Sequence, residues 1–384
     1  MYDSASVKTR ERKERVQPMT DNNAAISSRL ADRETLILDV QGPLNSACGK
    51  ALARSFAENE GRYQNVLWNF RLLDHMDSEG AILLLVNAAV LEQKKIGLAA
   101  CHLSAPLRDV FRLTSLDAAM EIFDTESEAL ERLPFRIGIR PRDPAFPAYK
   151  GPPVPGWAGS VERVAIGAVP AEAMNVNVNG RKVTSPVNGF GRLWEKKYFI
   201  KTKNEAMTPQ AVIALWRKEF SNFWPKGNRL FTSGGGPIAP GATALLNLSL
   251  GGPIVMATGI VVIYADDDSF CFSTVQGHIL HGWINFSSFR ADDGTIIQVH
   301  PIFRASDPIM EVGFRLGASR REDQFWHQTL GNLASRLGIE ARVEQRTVLI
   351  DPHVRWREAG NVWYCGAIRS SLYLLPYWLR RIFS

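Results

Sequence analysis

Seven prolines fall between Pro134 and Pro155, in the stretch LPFRIGIRPRDPAFPAYKGPPVPGW, and they constrain the fold more than any other feature of the sequence. Proline lacks the backbone N–H group that a helix interior or a central strand needs. The stretch therefore predicts a semi-rigid spacer between two folded units. We assign residues 133–188 to this proline-rich linker and to the weakly patterned segment that follows it.

The length of 384 residues is enough for the two domains that such a spacer implies. Hydrophobic residues make up 45% and charged residues 22% of the chain, which is typical of a folded globular protein. Lys and Arg number 45 against 39 Asp and Glu, but the basic residues are interspersed and form no concentrated basic face. This distribution argues against nucleic-acid binding.

The four cysteines lie far apart and show neither a zinc-binding spacing nor a disulfide framework. They are Cys48, Cys101, Cys271 and Cys365. We expect them to be reduced and buried in a cytoplasmic protein, with no metal and no cofactor.

Residues 1–32 mix charged residues, Asn and Ser without hydrophobic periodicity, and they lack the apolar core of a signal peptide. This pattern predicts a mobile leader. The apolar segment SLGGPIVMATGIVVIYA is interrupted by Gly251-Gly252-Pro253. It therefore predicts two strands joined by a turn rather than a membrane-spanning helix.

Short apolar runs alternate with helical patterns over residues 33–132. Strands are predicted at Leu36–Val40, Val66–Phe70 and Gly97–Leu103, and helices at Ala47–Phe56 and Gly80–Gln93. Strands that alternate with helices within about 100 residues predict an α/β sandwich, a mixed sheet with helices.

Residues 189–372 begin with a helix and continue as strands. Thr208 is the expected cap of this helix, with Pro209 at its first position. The runs that follow are separated by Gly, Pro and Asp turns, which predicts an antiparallel meander. A last long helix carries Glu322 and Asp323 in its first turn. We therefore predict an α+β domain in which the antiparallel sheet wraps around the long C-terminal helix and leaves a cavity.

The stretch HMDSEGAILLLVNAA places Asp77, Ser78, Glu79 and Gly80 directly before a long apolar run. A serine at a helix start is an efficient N-cap, which is one interpretation of Ser78. The free N–H groups and the positive dipole end of such a helix also tolerate a phosphate, so a modification site is the other interpretation. The apolar run belongs to the core on either interpretation.

The segment VLWNFRLLDHMDSEGAILLLVNAAVLEQKKIGLAACHL, with QGPLNS before it and PLRDVFRLTSLDAAMEIFDTESEAL after it, resembles the STAS domain of bacterial anti-sigma-factor antagonists. The resemblance implies that Ser78 is phosphorylated by a cognate anti-sigma factor that is a serine kinase. It also implies that Asn45, Asp77, Glu79 and Gly80 contact this partner. Phosphorylation would add about −1.5 to −2 charges, enough to disrupt a complementary interface.

Two residues depart from the pattern of that family. Glu79 stands where a second Ser or Thr is usual, and Asn69 stands where the preceding strand usually ends in Asp. Because Asp77 and Glu79 flank Ser78, the serine lies among acidic residues. We therefore expect recognition by the kinase to be altered or lost.

The second half of the chain resembles the START-like, helix-grip (SRPBCC) superfamily, in an uncharacterised branch. The segments that carry this resemblance are FGRLWEKKYFIK, FWPKGNRLF, IAPGATALLNL, DDDSFCFSTVQGHILHGWINFS, RASDP and EDQFWHQTLGNLASRLG. The resemblance implies a cavity for a lipid-like or aromatic small molecule. Trp283, Phe286, Phe325 and Trp326 are candidates for its lining, with Trp283 and Phe286 on one face of a strand that tolerates a bulge. A packed aromatic core is the alternative interpretation.

No catalytic set is predicted. His278 and His281 are three residues apart and would lie on opposite faces of a strand, which disfavours a metal site. An enzyme on the helix-grip fold would need a polar pair, such as His278 and Glu311, to converge inside the cavity. The aromatic and basic tail at residues 373–384 would either dock on the protein or make a peripheral contact with a membrane.

Together these features predict a non-enzymatic regulator, in which a STAS partner switch controlled by phosphorylation of Ser78 is coupled to a domain that binds a hydrophobic ligand. The alternative is a lipid-binding or lipid-transfer protein whose STAS domain docks on a transporter. Lipid that copurifies with the protein would favour this alternative.

Overall fold

Two sheets organise the chain, one of five strands in the N-terminal part and one of eight strands in the C-terminal part. The computed structural model describes residues 25–31, 34–139, 149–176, 178–203, 207–251, 254–291, 294–340 and 342–373. The leader predicted at residues 1–32 lies outside this description up to residue 24 and at residue 32.

The first sheet has the strand order β1-β2-β3-β4-β5, with β1 antiparallel to β2 and the other pairs parallel. Its strands are β1 (Ala25–Leu30), β2 (Thr35–Leu44), β3 (Asn65–Met76), β4 (Gly97–Cys101) and β5 (Glu121–Phe123). The helices between them are α1 (Cys48–Glu58), α2 (Ser78–Gln93), α3 (Ala105–Thr114), α4 (Leu116–Ala119) and α5 (Glu126–Glu131). The predicted α/β fold with a mixed sheet is confirmed in this part of the chain.

Strand β1 corrects the prediction that the whole of residues 1–32 is a leader. Its residues pair in register with those of β2, from Ala25 opposite Gln41 to Leu30 opposite Leu36. The side chain of Arg29 fixes it further, because its guanidinium lies 2.8 Å from Asp39 and 2.5 Å from Glu126. β1 is a short, mostly polar edge strand, so its sequence shows no hydrophobic alternation from which it could be predicted. Residues elsewhere in the chain hold it in place.

The second sheet is antiparallel throughout and has the order β13-β6-β12-β11-β10-β9-β8-β7. Its strands are β6 (Leu193–Thr202), β7 (Arg229–Thr232), β8 (Thr243–Gly251), β9 (Ile254–Ala265), β10 (Ser269–Thr274), β11 (Leu280–Ala291), β12 (Gly294–Ala305) and β13 (Glu344–Asp351). The helices of this part are α6 (Pro209–Glu219), α7 (Pro308–Gly313) and α8 (Ser319–Arg336). Thr208 caps α6 as predicted, because its hydroxyl accepts the N–H of Ala211.

One face of the second sheet packs against α6 and α8. Phe286 on β11 contacts Trp216 of α6 and Trp326 of α8, with ring centroids 5.3 and 5.6 Å apart. The buried Lys196 of β6 also holds α8, since its ammonium lies 2.6 Å from Glu322 and 2.7 Å from Asp323. The helices and this face of the sheet therefore enclose a core of their own.

The other face of the second sheet packs against the N-terminal unit. A single hydrophobic cluster includes Leu44 and Met76 from the first unit together with Trp283 and Tyr264 from the second sheet. The chain therefore consists of layers in which the antiparallel sheet lies between α6 and α8 on one side and the first unit on the other.

The proline-rich linker is more tightly packed than a spacer, which corrects the prediction for residues 133–188 in part. Trp157 is buried, donates its indole N–H to the carbonyl of Met76 at 2.7 Å and contacts Tyr264 edge to face. Val164 and Val178 are also buried. Proline excludes regular backbone pairing, but it does not prevent neighbouring apolar side chains from being buried. Residues 140–148 lie outside the description.

The four cysteines are free and buried, as predicted. Of the predicted tail at residues 373–384, only Tyr373 is described, and its side chain is exposed. Within the described ranges, none of the helices combines the length and the apolar character that crossing a bilayer requires.

Candidate functional site

Helix α2 begins at the MDSEG motif, and Asp77 rather than Ser78 is its N-cap. The Asp77 carboxylate accepts the N–H of Gly80 at 2.7 Å. Ser78 is the first residue of the helix and makes no capping bond. The interpretation of Ser78 as a plain N-cap is therefore wrong, because the neighbouring aspartate has that role.

The start of α2 lies beside the loop that follows β2. Leu44 and Met76 are register partners at the ends of β2 and β3, and Asp77 donates its N–H to the Leu44 carbonyl at 3.3 Å. A Cβ atom on Gly80 would lie 2.2 Å from that carbonyl oxygen, so only glycine fits. Asn45 leaves the sheet next to this point, half-buried, and its side chain accepts the N–H of Ala47 at the start of α1.

Ser78 is buried against the second sheet, with 2% of its surface exposed. Its hydroxyl donates to the side-chain oxygen of Asn285 on β11 at 2.9 Å. Asn285 is itself fully buried. The serine singled out by the sequence is therefore covered by the C-terminal part of the same chain.

Glu79 is also bound by the second sheet. Its carboxylate accepts the amide N–H of Asn285 at 2.7 Å and lies 2.8 Å from Nδ1 of His300. Nε2 of His300 lies 2.9 Å from Glu195 of β6. We refer to Ser78, Glu79, Glu195, Asn285, Gln298 and His300 as the junction cluster, since Gln298 also donates to Glu79 at 3.3 Å.

The charges of the junction cluster stabilise one another. Burial disfavours the ionised form of Glu79, but the charge of His300 and the hydrogen bonds from His300 and Asn285 outweigh it and lower the pKa of Glu79 to about 2. Burial likewise opposes the charge of His300, yet Glu79 and Glu195 raise the pKa of this imidazole above its ordinary value. Glu79 and His300 therefore form a buried ion pair between α2 and β12.

Asp77 behaves in the opposite way. Burial, together with the nearby charges of Glu79 and Asp266, raises its pKa to about 8, although its bond from Gly80 acts against the shift. The two acidic residues that flank Ser78 therefore differ in charge near neutral pH, with Glu79 ionised and Asp77 largely protonated.

Asn69, the second departure noted in the sequence, lies outside the junction cluster. Its amide donates to Asp39 at 2.7 Å, and its carbonyl oxygen lies 3.0 Å from Nδ1 of His102. Sequence reasoning missed Asn285, His300 and Glu195 as members of the site. The one available signal was a polar residue within a strand pattern, at Asn285 between Ile284 and Phe286.

A cavity of about 220 Å³ lies on the helix side of the second sheet. Apolar side chains form most of its wall, among them those of Leu246, Ile260, Phe272, Ile284, Phe303, Phe325 and Trp326. Phe325 and Trp326, two of the side chains proposed from the sequence as cavity lining, lie in this wall. The volume is far larger than a single water molecule occupies.

Trp283 and Phe286 do not line this cavity, and the prediction that they share a face is wrong. The β11–β12 ladder runs without a bulge from Leu280 to Ala291, so residues three apart point to opposite faces. Trp283 packs in the cluster shared with the first unit, whereas Phe286 is buried among the aromatic rings below the cavity.

Polar groups at the cavity are few. His278 is one of its wall residues, and burial lowers the pKa of His278 to about 4, so the imidazole is neutral near pH 7. Glu311 is not among the wall residues, because its carboxylate accepts from Arg192 and Arg315 instead. Among the described residues, no three His, Cys, Asp or Glu side chains form a group suited to a metal ion.

The cavity and the junction cluster lie on opposite faces of the same two strands. Asn285 and His300 are register partners on β11 and β12, and they face α2. Ile284 and Pro301 form the adjacent register pair, and they face the cavity. A molecule in the cavity would therefore touch residues directly next to those that bind Ser78 and Glu79.

The family model described as the STAS domain matches residues 28–129, so the chain carries a STAS domain at its N-terminal end. No curated protein matches the chain.

Several solved structures are similar to a portion of the chain. The anti-sigma factor antagonist SpoIIAA in its unphosphorylated form is 26% identical over 28% of this chain and 97% of its own, with a TM-score of 0.25. The phosphorylated form of SpoIIAA, a Bacillus cell fate determinant, is 27% identical over 28% of this chain and 99% of its own, with a TM-score of 0.25. The di-domain ARO/CYC StfQ from the steffimycin biosynthetic pathway is 10% identical over 38% of this chain and 53% of its own, with a TM-score of 0.31.

Proposed function

We propose that this chain is a non-enzymatic regulator whose STAS domain binds a partner protein according to the phosphorylation state of Ser78. The partner class that we propose is an anti-sigma factor that acts as a serine kinase, or another protein that recognises the same STAS surface. The observation that carries the proposal is the position of Ser78 in the first turn of α2, within the STAS domain and at the contact with the second domain of the same chain.

A phosphate on Ser78 would change this contact for clear physical reasons. The first turn of α2 offers backbone N–H groups and a positive dipole end, which favour an anion. In the contact as it stands, however, the Ser78 hydroxyl donates to Asn285 beside the ionised Glu79. A group carrying about −1.5 to −2 charges could not donate that bond and would repel Glu79.

We further propose that the second domain has a helix-grip fold and binds a hydrophobic small molecule or lipid. Its antiparallel sheet, the long helix α8 packed on one face and the apolar cavity between them support this proposal. The neutral His278 would supply one polar contact to the ligand.

The shared strands give the two activities a physical connection. A ligand that displaces Ile284 or Pro301 would also move Asn285 and His300, because each cavity residue precedes or follows a junction residue in the same strand. Occupation of the cavity would therefore alter the affinity of the second domain for the Ser78 region.

The test is a pull-down from the native host with the wild-type chain, Ser78→Ala and Ser78→Asp, combined with mass spectrometry of Ser78. Recovery of a kinase with the wild type and its loss with Ser78→Asp is the expected result. Ser127→Ala is a matched control, because Ser127 is an exposed serine in the first turn of α5. An unmodified Ser78 and equal partner recovery by all variants would refute the switch.

The apolar cavity also favours the second candidate, a lipid-binding or lipid-transfer protein whose STAS domain docks on a transporter. Native mass spectrometry of the purified chain separates the two. A lipid retained in the cavity and transferred between vesicles would support this candidate, whereas a chain that never carries lipid would contradict it.

A further inference from the structure

We propose that the second domain is an intramolecular partner of the STAS domain, which occupies the Ser78 surface and must separate from it before an external protein can bind there. The role of Ser78 as the control residue rests on the function proposed above. The contact by which the second domain covers Ser78 does not rest on that function, and it can be measured without any kinase or partner.

One side chain of the second sheet, Asn285, binds both residues at the centre of the motif. Asn285 accepts from the Ser78 hydroxyl through its oxygen and donates to Glu79 through its nitrogen. His300 lies between Glu79 and Glu195, at 2.8 and 2.9 Å, and holds the first carboxylate against the sheet. The two consecutive residues of α2 are thus fully engaged within the chain.

The second domain holds α2 at its other end as well. Gln93 donates to the carbonyl of Ile350 on β13 at 2.5 Å, and Arg355 lies 3.0 Å from Glu92. A helix of 16 residues is about 24 Å long, so these contacts hold α2 at both of its ends. Trp157 of the linker also contacts the start of α2, because its indole N–H donates to the carbonyl of Met76.

This arrangement specifies the chemistry of an external competitor. It would need a cationic side chain opposite Glu79 and a carboxamide or similar group opposite the Ser78 hydroxyl, because these are the groups that the second sheet supplies. A kinase would also need the open form, since only 2% of Ser78 is exposed in the closed one. The STAS domain would therefore have one surface and two competing partners, one internal and one external.

The experiment measures the exposure of position 78 by thiol labelling of Ser78→Cys in the full-length chain. The four natural cysteines are buried, so their background labelling is low. We expect slow labelling of Ser78→Cys in the native chain and fast labelling after unfolding in urea. Adding His300→Ala should raise the native rate at least about tenfold, which corresponds to about 1.4 kcal/mol in the opening equilibrium.

Two controls separate opening of the junction from general loosening. Ser273→Cys places the thiol at a serine position within the second domain that is buried like Ser78. Its labelling rate should not change when His300→Ala is added. His327→Ala removes a histidine that contacts Gln345 and Tyr198, outside the junction, and should leave the labelling of Ser78→Cys unchanged. If His300→Ala does not fold by circular dichroism, Asn285→Ala replaces it.

Rapid native labelling of Ser78→Cys, or an unchanged rate in folded His300→Ala and Asn285→Ala variants, would overturn the intramolecular partner. A failed pull-down with the expected labelling would instead overturn the phosphorylation switch and leave the covering contact established.

Discussion

Glu79 and His300 form a buried ion pair 2.8 Å apart that joins the STAS domain to the second sheet. The sequence alone predicts that Glu79 impairs recognition of Ser78 by placing a fixed charge beside it. In the structure this charge has a partner in the same chain, which gives a physical reason for an acidic residue at a position where the family usually has Ser or Thr.

The ion pair predicts a large loss of stability when one partner is removed. His300→Ala leaves Glu79 buried without its cation, and breaking a buried pair in this way costs about 3–5 kcal/mol. The measurement is urea unfolding followed by circular dichroism. His327→Ala, which removes a half-buried histidine outside the junction, should cost about 1 kcal/mol or less. Equal losses in the two variants would contradict the role of the junction pair.

The same pair predicts a pH dependence with a defined sign. His300 faces Glu79, Glu195 and Lys197, and its pKa in the folded protein is raised above the ordinary value of 6.5. The stabilisation it gives is therefore complete below pH 6.5 and is lost as the pH rises through the folded pKa. Asp77 adds a loss that begins at lower pH, because its pKa is raised from 3.8 to about 8 and its contribution falls between these two values.

Glu79 limits the stable range on the acid side. Its pKa is lowered from 4.5 to about 2, so its contribution is present above pH 4.5 and is lost as the pH falls towards 2. Because the loss from Asp77 begins just above pH 3.8, we expect the urea midpoint to be highest near about pH 4 to 4.5, to decrease gradually above that range and to decrease more steeply above pH 6.5. His300→Gln should flatten the decrease above pH 6.5, and an unchanged slope in this variant would exclude His300 as its source.

Gly80 gives a prediction that concerns the STAS domain alone. The Cβ atom of Gly80→Ala would lie 2.2 Å from the carbonyl oxygen of Leu44, so α2 and β2 must move apart. Overpacking of this kind costs about 1–3 kcal/mol. Gly49→Ala, at a position in α1 with no atom near the added Cβ, is the matched control and should not destabilise the chain. Thermal unfolding of both variants makes the comparison.

The cavity predicts that a larger side chain excludes an apolar ligand. Leu248→Trp would fill part of the space and should reduce binding of an apolar fluorescent probe severalfold. Leu349→Trp introduces the same side chain at a more exposed position on β13 and should bind the probe as the wild type does. Unaltered binding by Leu248→Trp would place the probe elsewhere.

The STAS domain could be predicted from the sequence because its strongest signals are local. Strand β4 is wholly buried and α2 is apolar on most sides, so both stand out as continuous apolar runs. The junction cluster could not be predicted in this way. Glu79 and Asn285 are 206 residues apart, and nothing in the local pattern of either segment specifies the other.

The misplaced aromatic pair has a more specific cause. The prediction allowed a bulge between Trp283 and Phe286, whereas the ladder between β11 and β12 is continuous. A strand buried on both faces shows no alternation that would reveal which side chains face the cavity. The cavity wall at Phe325 and Trp326 was predictable because helix α8 has a clear periodicity.

The contacts of Trp157 bear on where a STAS fragment that folds by itself would have to end. The Trp157 indole N–H donates to the carbonyl of Met76. Phe135 donates its backbone N–H to the side-chain oxygen of Asn65 and is buried in a hydrophobic cluster of the first unit. A fragment cut at residue 132 would therefore lack Phe135, which is buried in the first unit, and Trp157, which binds the carbonyl of Met76 just before α2. A STAS fragment that keeps both contacts should therefore extend beyond residue 157, into the segment that its prolines predict to be a semi-rigid spacer.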